Sequence, residues 1–261
     1  PCVLVVVNQQ IYAGQNGAIT LRFSHSGSML AAACCDDPLP GCFPIRLLDP
    51  ESGKCRHELL GHGSMVYDLS WSDDDLLLLS ASADGTTKIW RTSGWKAGVD
   101  PGDLMGGLHA VSNGTDNAKG GKGGKPGLMC TLQHVPPCFV YAAVFQPLAV
   151  DVVHTGSHKT YLDQHVPWSA RRSVGHSSLV VTGAFDRRLR LWDIGGVATG
   201  RQAADLGTLS GKVVHESHLN AIVYDAKHSR LYSGDGGGLI VVWRRSAKVH
   251  TAQDYSVLRK V

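Results

Sequence analysis

The chain has 261 residues, of which 43% are apolar and 18% charged, with a formal net charge of +3. That length and apolar share allow one large folded domain or two ordinary ones and exclude a disordered acidic or basic chain. So small a charge excess does not by itself argue for nucleic acid. Seven cysteines, an odd number with no CxxC pair, fit reduced cytosolic thiols better than a disulfide framework or a zinc ribbon.

The first apolar run, Val3 to Val7, is too short for a signal segment or a membrane span. A chain that begins with proline and closes on SVLRKV is expected to be a piece of something longer. From Ala18 the sequence alternates: AITLRF, the turn HSGS, MLAAAC, then FPIRLLD. Period-two patterns broken by Gly, Ser and Asp turns predict short antiparallel strands. Next come Gly61-His62, the strand MVYDLSW, the turn SDDD and the stretch SASADGTTKIW, residues 80–90. The pair Asp84-Gly85 predicts a tight turn, where positive φ is cheap for glycine.

Residues Ser93 to Gly127 follow, with GTDNAKGGKGGKPG inside them. Gly and Lys at this density cannot bury enough apolar surface to fold. The segment is no P-loop either: three residues rather than four separate Gly120 from Gly124-Lys125, and Pro126 stands where Ser or Thr is needed. His134 then precedes the strand FVYAAVF, a second insertion covers about 149–177, and TGAFDRRLRLW follows at 182–192. Last come His215, NAIVYD and SGDGGGLIVVW. No stretch shows a sustained helical period.

One pattern therefore recurs. Ser80, Asp84 and Trp90 match Thr182, Asp186 and Trp192 at equal spacing, and Ser233 and Trp243 repeat the interval of ten with Gly237 at the turn position. A histidine precedes each set: His62, His134 and His215. The segment at 18–49 is a weaker copy with Leu48 in the tryptophan slot. Such self-similarity is the mark of a repeat architecture. It also weighs against a hydrolase built from Ser80, His62 and Asp84. A triad that occurs twice beside tryptophan reads as architecture, and no GxSxG elbow is present.

His, Ser/Thr, Asp and Trp in these places resemble the WD40 repeat, the four-stranded blade of a β-propeller. The resemblance implies an all-β fold of four antiparallel blades, a partial, open piece of a seven-bladed ring. Expected ranges are 17–60 for blade one, 61–95 for blade two, 128–210 for blade three and 211–261 for blade four. Within each blade the four groups would form a buried chain of hydrogen bonds: His62, Ser80, Asp84 and Trp90; His134, Thr182, Asp186 and Trp192. Blade four, with His215, Ser233 and Trp243, would be looser, because Gly237 cannot accept from His215, which must find water or Asp235.

FSHSGSMLAAAC, HELLGHGSMVYDLSWSDDD, LVVTGAFDRRLRLWDI and YSGDGGGLIVVW together resemble the jouberin-like family of ciliary transition-zone scaffolds. That resemblance implies a non-catalytic protein-interaction scaffold in cilium assembly, without cofactor or metal. It would lie in the cytoplasm or cytoskeleton at the transition zone or basal body. Partners would be ciliary proteins such as nephrocystins and a Rab GTPase. A generic WD40 adaptor, such as a ubiquitin-ligase substrate receptor, is the alternative.

On such propellers partners contact the entrance of the inner strand and the residue before the turn aspartate. By position these are Met65, Tyr67 and Ala83, then Phe139, Tyr141 and Phe185, then His218, Asn220 and Gly236. Aromatics and Met anchor interfaces, although the same side chains can pack under insertions. Arg187, Arg188 and Arg190 raise a phosphoinositide-binding reading, but they read first as a solvated turn and strand face. HESH at 215–218 lacks the HExxH spacing, so its histidines read as one structural and one loop residue.

Overall fold

A computed structural model describes residues 17–35, 43–92, 127–146, 179–195, 197, 201–225, 228–245 and 251–261. The expectations for the Gly/Lys-rich stretch before Gly127, for the insertion at 149–177 and for Val3 to Val7 lie outside the described residues.

Among the described residues sixteen strands form four sheets of four, each a meander in which neighbours in sequence pair antiparallel. The first holds β1 (Ala18–Phe23), β2 (Leu30–Cys34), β3 (Ile45–Leu48) and β4 (Cys55–Leu59). The second holds β5 (Val66–Trp71), β6 (Leu77–Ser82), β7 (Thr86–Arg91) and β8 (Gly127–Gln133). The third holds β9 (Val140–Gln146), β10 (Leu179–Ala184), β11 (Leu189–Asp193) and β12 (Ala204–Thr208). The fourth holds β13 (Leu219–Asp225), β14 (Arg230–Asp235), β15 (Ile240–Arg245) and β16 (Tyr255–Lys260).

Strand β8 corrects one boundary. It lies in the range expected for blade three but completes the second sheet by pairing with β7 from Thr86–Gln133 to Arg91–Gly127. The reason is the edge: without β8, β7 would offer its open hydrogen-bonding side to solvent.

The four sheets share two irregularities. The register shifts once near the start of each inner strand's pairing, between Ala18 and Thr20, Val66 and Asp68, Gly183 and Ala184, and Leu219 and Ala221. It shifts again beside the tryptophan slot, at Leu48, Trp90, Trp192 and Trp243. A bulge bends its strand and sharpens the twist. Its recurrence in the first sheet shows that Ala18–Leu59 is a fourth copy despite its lost polar residues.

Inner strands β1, β5, β9 and β13 neighbour one another in that order, so the sheets stand as an arc of blades. Three cores lie between them. Ile45, Leu47, Leu69, Leu78 and Trp90 fill the first joint. Leu79, Ile89, Phe145, Val180 and Trp192 fill the second. Val181, Leu191, Leu219, Leu231 and Trp243 fill the third. At this last joint Gly183 lets the sheets close: a Cβ there would meet Ile222 Cδ1 at 2.9 Å and Leu219 Cβ at 3.2 Å. At the ends of the arc Leu21 and Phe23 on blade one, and Val223 and Ile240 on blade four, are exposed.

Candidate functional site: the loop face of blades two to four

In blade two the expected chain of bonds is present. Trp90 Nε1 donates to Ser80 Oγ at 2.8 Å, Ser80 Oγ lies 2.6 Å from His62 Nε2, and His62 Nδ1 lies 2.7 Å from Asp84 Oδ2. Ser80 accepts from the indole, so its own proton goes to Nε2, and Nδ1–H is left to donate to the carboxylate. Burial opposes the charge on Asp84, but donors from His62 and Thr86 outweigh it and hold the carboxyl below the usual range. Ser80 is fully buried beneath Trp90, so its hydroxyl is tied down rather than offered as a nucleophile.

Blade four is not looser, contrary to the expectation from Gly237. Trp243 Nε1 donates to Ser233 Oγ at 2.7 Å, and His215 bridges from Ser233 Oγ at 2.6 Å to Asp235 Oδ2 at 3.1 Å. Asp235, two residues before the vacant position, also accepts from the backbone N–H groups of Glu216, Ser217, Gly237 and Leu239. Burial would raise its carboxyl, yet these donors hold it at about 2. Burial also pushes His215 down.

Blade three departs from the expected network. Trp192 Nε1 donates to Thr182 Oγ1 at 2.9 Å. Arg190 then enters: Nη2 binds Asp186 Oδ2 at 2.5 Å and Val135 O at 3.2 Å, and Nη1 reaches His134 Nδ1 at 3.3 Å. The guanidinium thus stands between His134 and Asp186. It is buried, which corrects the reading of Arg190 as part of a solvated face. Pairing opposite Thr182 turns it to the joint side, and a five-donor fork competes well for a carboxylate. Burial and the Arg190 charge push His134 down to about 4, so it stays neutral. Its Nε2 has no partner among the described residues.

These networks hold the connecting loops against the strands, and the predicted contact residues lie on those loops or, for Tyr67, Tyr141 and Asn220, at the start of the inner strands. Three equivalent bonds tie them: Ala83 N–H to Met65 O at 2.9 Å, Phe185 N–H to Phe139 O at 2.8 Å and Gly236 N–H to His218 O at 2.8 Å. Five of the predicted residues converge. Tyr141 contacts Phe139 at a centroid distance of 6.4 Å, Phe139 contacts Phe185 at 6.4 Å, Phe185 stacks on His218 at 5.9 Å, and His218 returns to Tyr141 at 5.6 Å. Tyr67 extends this closed circuit to blade two at 5.0 Å from Tyr141. Gly236 makes room for it, since a Cβ there would meet His218 Cε1 at 2.5 Å. Phe139 is 49% and Phe185 57% exposed. Met65 and Asn220 stand exposed on the flanks and Ala83 is half-buried, all three outside the ring contacts.

The family profile for the WD domain, G-beta repeat, matches residues 53–91 and 156–193. Each match closes one residue after a bonded tryptophan, at Arg91 after Trp90 of blade two and at Asp193 after Trp192 of blade three. The chain carries WD40 repeats. It is similar to jouberin of Mus musculus, 31% identical over 92% of this chain and 17% of that protein, and of Rattus norvegicus, 29% identical over 95% and 18%. It is also similar to nuclear distribution protein PAC1-2 of Uncinocarpus reesii, 27% identical over 82% of this chain and 34% of that protein. The chain thus spans less than a fifth of the length of the jouberins. Among solved structures, a chain in a crystal structure of the mitotic checkpoint complex matches over 92% of this chain and 49% of its own, with a TM-score of 0.53 at 17% identity. That likeness supports the fold alone.

Within the blades, the reading by position offered Asp235 to His215 only as an alternative to water, and it missed the role of Arg190. Asp235 falls outside the fixed interval, and Arg190 carries a charge at a residue whose side faces a joint. The second was discoverable: alternation places Arg190 on the same side as Thr182 and Trp192. A third is Asp68 on β5, which accepts from Arg22 on β1 at 3.2 Å and from Ala143 N–H on β9 at 3.2 Å. It links three inner strands, and burial raises its carboxyl.

Proposed function

We propose that the chain is a non-catalytic protein-interaction scaffold that captures partner segments on the aromatic surface of blades two to four. One observation carries this reading: Tyr67, Phe139, Tyr141, Phe185 and His218 come from three blades, touch one another, and leave two phenylalanines about half exposed. Rigid, partly desolvated aromatics are what interface hot spots are made of. The similarity to jouberin along most of the chain supports the finer reading of a jouberin-like role in cilium assembly at the transition zone or basal body, with ciliary proteins as partners.

The test is Tyr141→Ala combined with Phe185→Ala. Two central anchors are worth about 2 kcal/mol or more each, so proximity labelling of transition-zone proteins in ciliated cells should fall by well over tenfold while circular dichroism stays unchanged. Undiminished labelling by the folded double variant would end the proposal.

A further inference from the structure

We infer that the aromatic surface selects segments bearing carboxylates beside an apolar anchor, that is, acidic peptides. The inference rests on the reading of that surface as a capture site and adds the charge of what is captured.

The argument starts from which charges on this face are already used. Asp84 is engaged by His62, and Asp186 by Arg190. Asp235 is buried beneath His215. Each carboxylate at or near a turn is thus consumed by its own blade. The cations that remain are different. Arg187 and Arg188 directly follow Asp186 in the turn that presents Phe185, and both are exposed. Neither is paired with a carboxylate among the described residues. Arg187 sits at φ 67°, in a turn closed by Arg187 N–H to Ala184 O at 3.1 Å and Arg188 N–H to Asp186 Oδ1 at 3.2 Å. Lys212 is exposed on the connection that leads to His215 and His218. Glu216 is the one exposed carboxylate on that same connection. The two segments that present Phe185 and His218 therefore carry three exposed cations, Arg187, Arg188 and Lys212, against one exposed carboxylate, Glu216.

The third arginine decides between peptide and membrane. Arg190 is withdrawn into the blade by Asp186, so the sequence cluster yields two free cations, not three. Phe185, the circuit member in the same turn as these arginines, lies stacked at 18° on His218 instead of projecting as an inserting side chain would. Exposed cations on the segments that present a packed aromatic floor are complementary to an anionic segment with an apolar side chain.

The experiment uses the whole chain and three labelled synthetic peptides sharing one Leu-Phe anchor, flanked by Asp/Glu, by Ser/Gln or by Lys. Fluorescence anisotropy should rank them acidic, neutral, basic. The acidic peptide should bind about tenfold more tightly than the neutral one and weaken as salt is raised. Arg187→Glu with Arg188→Glu should reverse the ranking without changing the melting temperature. Equal affinity for acidic and neutral peptides, or an unchanged ranking in the double variant, overturns the charge inference while leaving the capture site standing. Acidic-peptide binding that survives Tyr141→Ala with Phe185→Ala overturns the capture site itself, and failure of all three peptides to bind overturns both. Arginine-dependent binding to phosphatidylcholine vesicles containing a phosphoinositide, with no preference among peptides, overturns the charge inference in favour of lipid.

Discussion

At the scale of single residues, a polar group in a blade matters through what it leaves behind when it is lost. Asp235 accepts four backbone N–H groups and the His215 ring, and its side chain is fully buried. Asp235→Ala strands those donors in a dry joint, so unfolding free energy should fall by about 2–4 kcal/mol. Urea denaturation followed by tryptophan fluorescence would measure it, and an unmoved midpoint would refute the role. The intervals of Ser80, Asp84 and Trp90 made the blade-two network readable in advance, because strand pairing brings a fixed spacing to a fixed place. The same rule failed to decide between Asp235 and water as the partner of His215. Three glycines, Gly236 to Gly238, follow Asp235, Gly238 at φ 91°. The turn they form carries a carboxylate from an earlier position back over His215. It failed again at Arg190, where side-chain reach rather than spacing decided which group met Asp186.

At the scale of elements, one turn fastens blade one to blade two. Asp75, at φ 61° in the turn between β5 and β6, accepts His25 N–H at 2.7 Å, Ser26 N–H at 2.9 Å and the His25 ring at 3.2 Å. The Asp75 bond raises His25 above its usual range despite partial burial. Burial would raise Asp75, but His25 and Ser26 outweigh it and lower it. A raised histidine contributes stability in full below its unfolded pKa and loses it as pH rises through the folded value. A lowered aspartate contributes above its unfolded pKa and loses it as pH falls. The staple is therefore at full strength between about 4 and 6.5. From pH 6.5 to 8 the wild type should lose stability that His25→Gln does not, by under about 1 kcal/mol because His25 is nearly half exposed. Thermal melts at both pH values would show it, and parallel shifts in the two proteins would refute it. His134, pushed down to about 4, costs stability as pH falls from about 6.5 to about 4, below the 6.5–8 interval of this test. The sequence showed SDDD and HSGS as turns, but not that one would clasp the other, since turn chemistry is local and the clasp is between blades.

At the scale of the molecule, the arc repeats one joint and ends on two uncovered faces. Gly183 on the inner joint and Gly234 on the outer face of blade four hold equivalent places, each paired next to the third strand at Leu189 and Ile240. Leu189 is 2% exposed and Ile240 46%. A Cβ at Gly183 would press into Ile222 and Leu219, whereas one at Gly234 meets nothing within 4 Å. Gly183→Ala should therefore destabilise the chain by about 1–3 kcal/mol through overpacking. Gly234→Ala should leave stability unchanged or raise it by up to about 0.5 kcal/mol, since alanine loses less backbone entropy. Equal effects of the two substitutions in chemical denaturation would show that the joints do not close as described.

By itself the sequence determined the blade count, the strands, the turn positions, the three tryptophan-to-hydroxyl bonds and the full network of blade two, because alternation and a fixed interval of ten are properties of paired strands. Only the tertiary structure decided that β8 crosses the Gly/Lys-rich stretch to finish blade two, that Arg190 displaces His134 from Asp186, and that Phe139, Tyr141, Phe185 and His218 close into one circuit. Those outcomes depend on contacts between residues far apart in the chain. The packing of one blade on the next selects them, and no local pattern encodes that packing.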